Sequence, residues 1–157
     1  MAGAASAGVL AWRRGPEGPE LLLAHPGGPY WRGKEDGGWS IPKGIATEGE
    51  NLLAAARREF QEELGVAVAG PFIPLTPCRQ PGGKTIHAWL VEANLDLSAL
   101  RSNLFEIEWP PRSGQIRAFP EVDQAAYAPA ELALRRVHKG QRPILTEALR
   151  KIAEAQG

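Results

Sequence analysis

The chain has 157 residues, the size of one typical folded domain with a single hydrophobic core. Apolar residues make up 43% of it and charged residues 23%, and 18 basic residues balance 18 acidic ones, so the formal net charge is zero. This composition excludes a disordered tail protein and a protein that binds nucleic acid through bulk positive charge. We therefore expect one globular domain over residues 1–157, in which any electrostatic function depends on where individual charges lie.

Features that would direct the chain to a membrane or an oxidising compartment are absent from the sequence. The single cysteine, Cys78, has no partner for an internal disulfide, which is typical of a reducing compartment. Residues 1–12 lack the basic region and long apolar run of a signal peptide, and no stretch has the roughly 18 apolar residues of a membrane span. These features predict a cytoplasmic protein without membrane contact.

Short strands separated by turns are predicted for the first part of the chain. Residues 8–13 and 20–25 are runs of strand length, and the loop 15–19 between them contains prolines, which lack the N–H group that a sheet ladder needs. These runs therefore predict two neighbouring strands. Residues 39–42 predict a further short extended segment.

A second loop, residues 26–38, is rich in glycine and proline and carries aromatic and cationic side chains. Exposed residues of these types suit a nucleotide base and its phosphates, and a loop folded onto its own aromatic rings is the alternative. The candidate substrate-binding residues in this loop are Tyr30, Trp31 and Arg32.

The clearest helix is predicted over residues 51–64. An apolar stripe suited to packing is formed by Leu53, Ala56, Phe60 and Leu64. A separate face carries three carboxylates at positions i, i+3 and i+4, namely Glu59, Glu62 and Glu63. Gly65 follows directly and is expected to cap the helix C-terminus.

The second half of the chain predicts one strand and two helices. Residues 85–94 are apolar on both faces, as expected of a central strand, and His87 within them is interpreted as a sheet-face histidine. Residues 130–137 and 143–155 have helical spacing. Strands, a helix, strands and helices in this order predict a layered α/β domain rather than a helical bundle or a β-sandwich.

Two features of the second half leave alternatives open. The segment 105–114 is a candidate substrate or dimer loop, and a packing role for Trp109 is the alternative. A group of cations near the C-terminus predicts a solvated helix face, whereas an RNA-end hydrolase would use such cations as a basic groove. These cations are Arg135, Arg136, Lys139 and Arg142.

The three glutamates of the predicted helix have a chemical interpretation. Carboxylates this close repel one another when all are ionised, unless cations compensate. Mg²⁺ prefers oxygen ligands and keeps water and substrate phosphates in its shell, so this face can form an incomplete site that a polyphosphate completes. Such ions activate water and neutralise charge that develops on phosphorus. The alternative for the glutamates alone is a solvated helix face.

Residues around this face have supporting interpretations. Arg58 is four residues before Glu62 and can pair with it or with a neighbouring loop, which would orient the carboxylates. Gly44 permits backbone conformations that aim a carbonyl or amide inward. Thr47 and Glu50 have the spacing of a capping box.

The segment 44–66 resembles the signature of the Nudix hydrolase family. That signature is a Gly, five residues, a Glu, seven residues, Arg-Glu, an aliphatic residue, any residue, Glu-Glu, any residue, Gly and an aliphatic residue. The matching positions of this Nudix box are Gly44, Glu50, Arg58, Glu59, Glu62, Glu63, Gly65 and Val66. Phe60 is aromatic where an aliphatic residue is usual, which should alter packing rather than chemistry.

The resemblance implies an α/β/α sandwich, with a mixed sheet between helices, that hydrolyses a nucleoside diphosphate linked to another group with Mg²⁺ or Mn²⁺. Metal-binding and base-supplying roles carry over to three carboxylates, Glu59, Glu62 and Glu63. Arg58 would orient them, and the backbone near Lys43 and Gly44 would add a carbonyl ligand.

Many family members also use an acidic residue outside the box, before an aromatic residue that leads into a late helix. In this chain Glu121 precedes Tyr127 in that arrangement, with Asp123 and Glu108 as competitors. The general base stays open among Glu59, Glu62 and Glu121.

The implied substrate is a nucleotide-type small molecule. Residues 39–44, Trp-Ser-Ile-Pro-Lys-Gly, are similar to the lead-in of Nudix members acting on dinucleoside polyphosphates, diphosphoinositol phosphates and some oxidised nucleotides, which implies that Lys43 lies beside the phosphates. The tyrosine that dinucleoside tetraphosphate enzymes often show after the box is missing, and Pro81 stands where ADP-ribose enzymes often have proline. ADP-ribose and oxidised nucleoside triphosphates are therefore alternatives, and a non-catalytic nucleotide sensor is one of another class. A homodimer is also an open expectation.

Overall fold

A computed structural model describes residues 5–156 of the chain. The strands are β1 (Ala5–Gly15), β2 (Gly18–Pro26), β3 (Lys43–Ile45), β4 (Ile73–Pro74), β5 (Cys78–Arg79), β6 (Thr85–Glu92), β7 (Leu104–Glu108), β8 (Ile116–Pro120) and β9 (Val122–Pro129). The α-helices are α1 (Leu52–Leu64), α2 (Ala130–Arg136) and α3 (Arg142–Gln156), with short 3₁₀ turns at Leu97–Ala99 and Lys139–Gln141. None of the helices within residues 5–156 is long and apolar enough to cross a bilayer.

A mixed sheet is organised around β1. This strand runs parallel to β6 on one edge and pairs antiparallel with both β2 and β3 on the other. Residues 6–8 of β1 pair with β3, whereas residues 12–15 pair with β2, which continues to β9. The strands β2 and β3 therefore leave the same edge of β1 at different points, and the sheet divides between them.

Side chains of the sheet alternate between two hydrophobic cores. On β1, Leu10 and Trp12 belong to one core, while Val9 and Ala11 belong to the other. The first core also contains buried side chains of α2 and α3, and the second contains those of α1, including Phe60. Helices thus cover both faces of the sheet, which confirms the predicted α/β/α sandwich.

Most predicted elements form with slightly different ends, and one prediction was wrong. Residues 39–42, predicted as a short strand or extended segment, make isolated bridges from Ser40 to Ala24 and from Trp39 to Val137, and regular pairing begins just after them in β3. Residues 105–114 were predicted as a loop, but the first of them belong to β7, which pairs with β8 in a separate hairpin. The loop is confined to the turn between these two strands.

The ends of α1 are fixed by local chemistry. The side chain of Asn51 accepts a hydrogen bond from the amide of Ala54, so Asn51 is the N-cap. The predicted pair of Thr47 and Glu50 therefore does not cap α1. Glu50 instead accepts hydrogen bonds from the amide and hydroxyl of Thr47 in the turn before the helix. Gly65 ends α1 in the left-handed region with φ of 76°, as predicted.

Phe60 offers a test of the expectation that this position affects packing alone. Its side chain is fully buried in the core beneath α1. Replacing it with the aliphatic residue usual in the family, as Phe60→Leu, should lower the free energy of unfolding by about 1–2 kcal/mol, because a smaller side chain leaves a partly unfilled space. Urea unfolding measures this change. A fall in turnover of more than about tenfold would contradict a packing role.

Candidate functional site

A cavity of about 260 Å³ opens where β2 and β3 diverge from β1. Its walls come from the loop before β3, from the end of α1 and from the segment that enters β9. The chemically active side chains that line it are Trp31, Lys43, Glu63, Glu121, His138 and Gln141. The division of the sheet therefore creates the space into which the box helix directs a carboxylate.

The glutamates of α1 lie at different depths. Glu63 is only 9% exposed, and its Oε2 accepts a hydrogen bond of 3.2 Å from the backbone amide of Lys43 on β3. The Glu59 side chain is 13% exposed and that of Glu62 is 36% exposed. One helical face thus carries a carboxylate inside the fold, one at its margin and one at the surface.

The buried carboxylate has an unfavourable electrostatic environment. Burial, together with the negative charge of Glu59, raises the pKa of Glu63 to about 8, although Lys43 opposes this change. Burial also raises the pKa of Glu121, and the charges of Glu59 and Glu62 contribute in the same direction. Burial lowers the pKa of Lys43. Four carboxylates from two parts of the chain are therefore close enough to repel one another.

Arg58 connects the glutamates to the turn before the helix. Its Nε and Nη2 donate to the two carboxylate oxygens of Glu50 at 2.9 and 3.0 Å, a bidentate pair. Its Nη1 donates to Glu59 at 2.9 Å and to Glu62 at 3.2 Å. This pairing holds the pKa of Glu50 at about 2. Both partners that the sequence allowed for Arg58, the helix and a neighbouring loop, are thus used.

Glu121 reaches the site through a chain of backbone hydrogen bonds. The amide of Asn103 donates to the carbonyl of Glu62, and the amide of Glu121 donates to the carbonyl of Asn103. The carbonyl of Glu121 in turn accepts from the amide of Gly27. Asn103 was not among the predicted residues, because a backbone relay between distant segments leaves no side-chain signature in the sequence.

The two competitors of Glu121 are engaged elsewhere. Asp123 lies 2.9 Å from Nδ1 of His25. Glu108 accepts hydrogen bonds from the backbone amides of Arg112 and Gly114 and so closes the turn between β7 and β8. Of the three candidates, Glu121 is the one that lines the cavity beside Glu63.

The donor set suits a hard divalent ion. Gly44 lies against the carboxylate of Glu59, and a Cβ at this position would overlap the carboxylate atoms. Within residues 5–156, no three acidic, histidine or cysteine side chains already converge at metal-binding spacing. Glu59 and Glu62 instead turn toward Arg58, as expected of repelling carboxylates that pair with a neighbouring cation. Oxygen ligands from Glu59, Glu62, Glu63 and Glu121, with a glycine that lets a carboxylate approach the backbone, fit Mg²⁺ or Mn²⁺.

The predicted substrate-binding residues divide into two groups. Trp31 and Lys43 both line the cavity. Tyr30 is 61% exposed, and its ring meets the edge of Trp109 at a centroid distance of 5.3 Å, outside the cavity lining. Arg32 is exposed and is also outside that lining.

A second cavity of about 380 Å³ adjoins the first. The two share Trp31, Lys43, His138 and Gln141 as lining residues. The second cavity adds Lys84, and in the part of the chain described here its lining contains two lysines and a histidine but no carboxylate. Acidic and basic spaces therefore meet at Lys43.

The cations at the end of α2 are largely engaged with the protein. Arg135 pairs with Asp36 at 3.4 Å, and Arg136 pairs with Glu35 at 3.2 Å. The side chain of Arg142 donates to the carbonyl of Leu134. Arg135, Arg136 and Arg142 thus hold the loop before β3 and a helix end, whereas Lys139 is exposed on the 3₁₀ turn before α3.

Comparison with known proteins decides the family. The sequence matches the NUDIX domain family over residues 4–148. The chain belongs to the NUDIX domain family. The resemblance of residues 44–66 to the Nudix box is thus confirmed by a family match that extends over most of the chain.

Several relatives and solved structures are similar to this NUDIX-domain protein. An RNA pyrophosphohydrolase of Caulobacter vibrioides is 43% identical over 51 residues, a stretch that covers 29% of this chain and only 30% of that protein. An Ap4A hydrolase of C. elegans in a binary complex has a TM-score of 0.64 at 18% identity, covering 97% of this chain and 99% of the other. The NUDIX domain of Shewanella oneidensis NrtR, complexed with ADP ribose, has a TM-score of 0.66 at 14% identity, covering 98% and 90%. At these identities the structures establish the shared fold alone.

Proposed function

We propose that this Nudix hydrolase uses Mg²⁺ or Mn²⁺ to cleave a diphosphate linkage in a nucleotide with an extended polyphosphate chain, such as a dinucleoside polyphosphate. The observation that carries the proposal is the junction of the two cavities. Glu63 of α1 and Glu121 border one side, and Lys43 and Lys84 border the other. A chain of phosphates needs both a cation-holding side and a positively charged side.

The carboxylates Glu59, Glu62, Glu63 and Glu121 are assigned to metal binding, together with the backbone at Gly44. When bound, the ion would neutralise charge on the phosphates and make water more acidic. Arg58 would hold Glu59 and Glu62 in place through its pair with Glu50. Glu63, held by the Lys43 amide, cannot turn away from the cavity without losing that hydrogen bond.

Trp31 and Lys43 are assigned to substrate binding. The Trp31 ring lies at both cavities, and the ammonium group of Lys34 lies 5.3 Å from its centre. An exposed indole ring offers a surface on which a nucleotide base can stack. Lys43 would act as a point charge on a phosphate between the base and the carboxylates.

A substrate panel tests this proposal. Wild-type protein is incubated with Mg²⁺ or Mn²⁺ and diadenosine tetraphosphate, ADP-ribose, nucleoside triphosphates or diphosphoinositol phosphates, and phosphorus NMR follows product formation. We expect the highest kcat/KM with diadenosine tetraphosphate, which has four phosphates between two nucleosides. Binding without product would indicate a nucleotide sensor, and preference for ADP-ribose would contradict the polyphosphate assignment.

Lys84 provides a charge test of the second cavity. Lys84→Gln should raise KM for diadenosine tetraphosphate about 10-fold and change KM for ADP-ribose less than about 2-fold, because only the longer phosphate chain extends past Lys43. Lys151→Gln, which removes a charge from α3 outside both cavity linings, is the matched control. Equal effects of Lys84→Gln on both substrates would count against phosphate binding in this cavity.

RNA with a triphosphate at its first nucleotide is a second candidate substrate. It is favoured by the 43% identity over 51 residues to an RNA pyrophosphohydrolase. It is disfavoured by the engagement of Arg135, Arg136 and Arg142 with the protein itself. Adding such an RNA to the panel decides between RNA and the small nucleotides as substrates. Binding of the RNA phosphate backbone would also make KM strongly dependent on salt concentration.

A further inference from the structure

His25 is a buried histidine that joins two walls of the cavity. It is 5% exposed and lies near the end of β2. Its Nδ1 is 2.9 Å from Oδ1 of Asp123, and its Nε2 is 2.9 Å from the carbonyl oxygen of Lys34. The two ring nitrogens of His25 thus connect the loop after β2 to the start of β9.

On the side of β9, this contact is made by an irregularity in the sheet. His25 faces Gln124 and Pro26 faces Val122, so Asp123 is the extra residue of a β-bulge. A bulge changes the direction of the side chains around it, and here Asp123 reaches His25 while Glu121, two residues earlier, lines the cavity. The contact between His25 and Asp123 therefore lies next to Glu121, a candidate metal ligand.

On the side of the loop, His25 acts on the turn that carries Trp31. The amide of Lys34 donates to the carbonyl of Trp31 at 3.1 Å, which closes a turn over residues 31–34. The carbonyl of Lys34 is the acceptor that faces His25. Past this turn the loop is held by the pairs of Glu35 and Asp36 with α2. Between these attachments, the position of Trp31 depends on the hydrogen bond from His25.

We propose that His25 is a positioning residue for nucleotide binding: its two ring nitrogens hold the Trp31 turn at a fixed place relative to β9, which begins directly after Glu121. His25 is outside the lining of both cavities, so it acts through Lys34 and Asp123. Loss of these two contacts should free the Trp31 turn and weaken binding of the base, while the carboxylates of α1 keep their arrangement. The kinetic part of this inference rests on the proposed function.

Kinetics of His25 variants test the positioning role. His25→Phe keeps a ring but removes both ring nitrogens, and it should raise KM for the nucleotide substrate about 10-fold with kcat within about 3-fold of wild type. His25→Gln keeps a polar side chain that can form one of the two hydrogen bonds and should restore part of the loss. His87→Gln is the matched control, because His87 is on β6 and its side chain faces the core beneath α1. An unchanged KM in folded His25→Phe, or a loss confined to kcat, would overturn the proposal.

A variant of Asp123 and an NMR measurement without substrate distinguish the role of His25 from the proposed function. Asp123→Asn changes a side chain that is 39% exposed, so the fold should tolerate it, and it should raise KM in the same direction by a smaller factor. NMR of the free protein should show a shifted Trp31 indole signal in His25→Phe. If the wild type cleaves no nucleotide, the proposed function fails, whereas an unmoved Trp31 signal in His25→Phe overturns the role of His25.

Discussion

Replacing Glu63 with glutamine should lower turnover by about 10²–10⁴-fold and leave the metal-free protein at least as stable as the wild type. The catalytic loss follows from removing the one carboxylate of α1 that is buried at the cavity and held by the amide of Lys43. Glutamine keeps the shape and the acceptor oxygen, so this hydrogen bond can persist. Measurement of kcat, with thermal unfolding of the same samples, tests both parts.

The stability of this variant depends on pH with a defined sign. The pKa of Glu63 is about 8 in the folded protein, well above its ordinary value of 4.5, so the folded state binds more protons than the unfolded state between these values. Wild-type stability should therefore fall as the pH rises from about 4.5 to about 8, and the variant should lack this contribution. Glu62→Gln, at a surface position, should lose turnover by orders of magnitude without the same stability gain. Near wild-type rates for both variants would contradict the carboxylate assignment.

A single methyl group at Gly44 should also lower activity with little loss of stability. A Cβ at this position would overlap the carboxylate of Glu59, which is the mobile end of a flexible side chain. The backbone of Gly44 is outside the left-handed region, so alanine fits its conformation. Gly44→Ala should therefore move the Glu59 carboxylate at little cost in stability and lower kcat about 10²-fold, the effect of displacing a reacting group by roughly 1 Å.

A double-mutant cycle identifies the cause of this loss. If Gly44→Ala acts only by displacing Glu59, it should have no further effect on kcat in a Glu59→Ala background. Thermal unfolding of all four proteins checks that each is folded. Independent, additive losses would show that Gly44 affects turnover by another route, such as its own carbonyl group.

The sequence predicted the parts of the site that depend on local spacing. The face of Glu59, Glu62 and Glu63 follows from helical periodicity, and the start of α1 is set by side-chain chemistry within a few residues. Arg58 could likewise be assigned a partner on its own helix, because Glu62 is one turn away. Such contacts depend on near neighbours in the chain, and periodicity is enough to identify them.

The rest of the site depends on contacts between distant segments. The burial of Glu63 requires β3 to pass over α1, and the place of Glu121 requires the backbone relay through Asn103. The bulge at Asp123 appears in the register of two strands and leaves no pattern in either one. The segment 105–114 was predicted as a loop although residues 105–108 belong to β7, since the hairpin of β7 and β8 lies outside the main sheet and has no buried residue that would indicate a core strand.

Phosphorus NMR of diadenosine tetraphosphate with the wild-type protein measures metal-dependent hydrolysis at the carboxylates of α1. We expect nucleotide products with Mg²⁺ or Mn²⁺, none after chelation of divalent ions, and a loss of at least about 10²-fold in Glu63→Gln under the same conditions. Equal product formation with and without divalent ions, or by wild type and Glu63→Gln alike, would show that these carboxylates do not hold a catalytic metal.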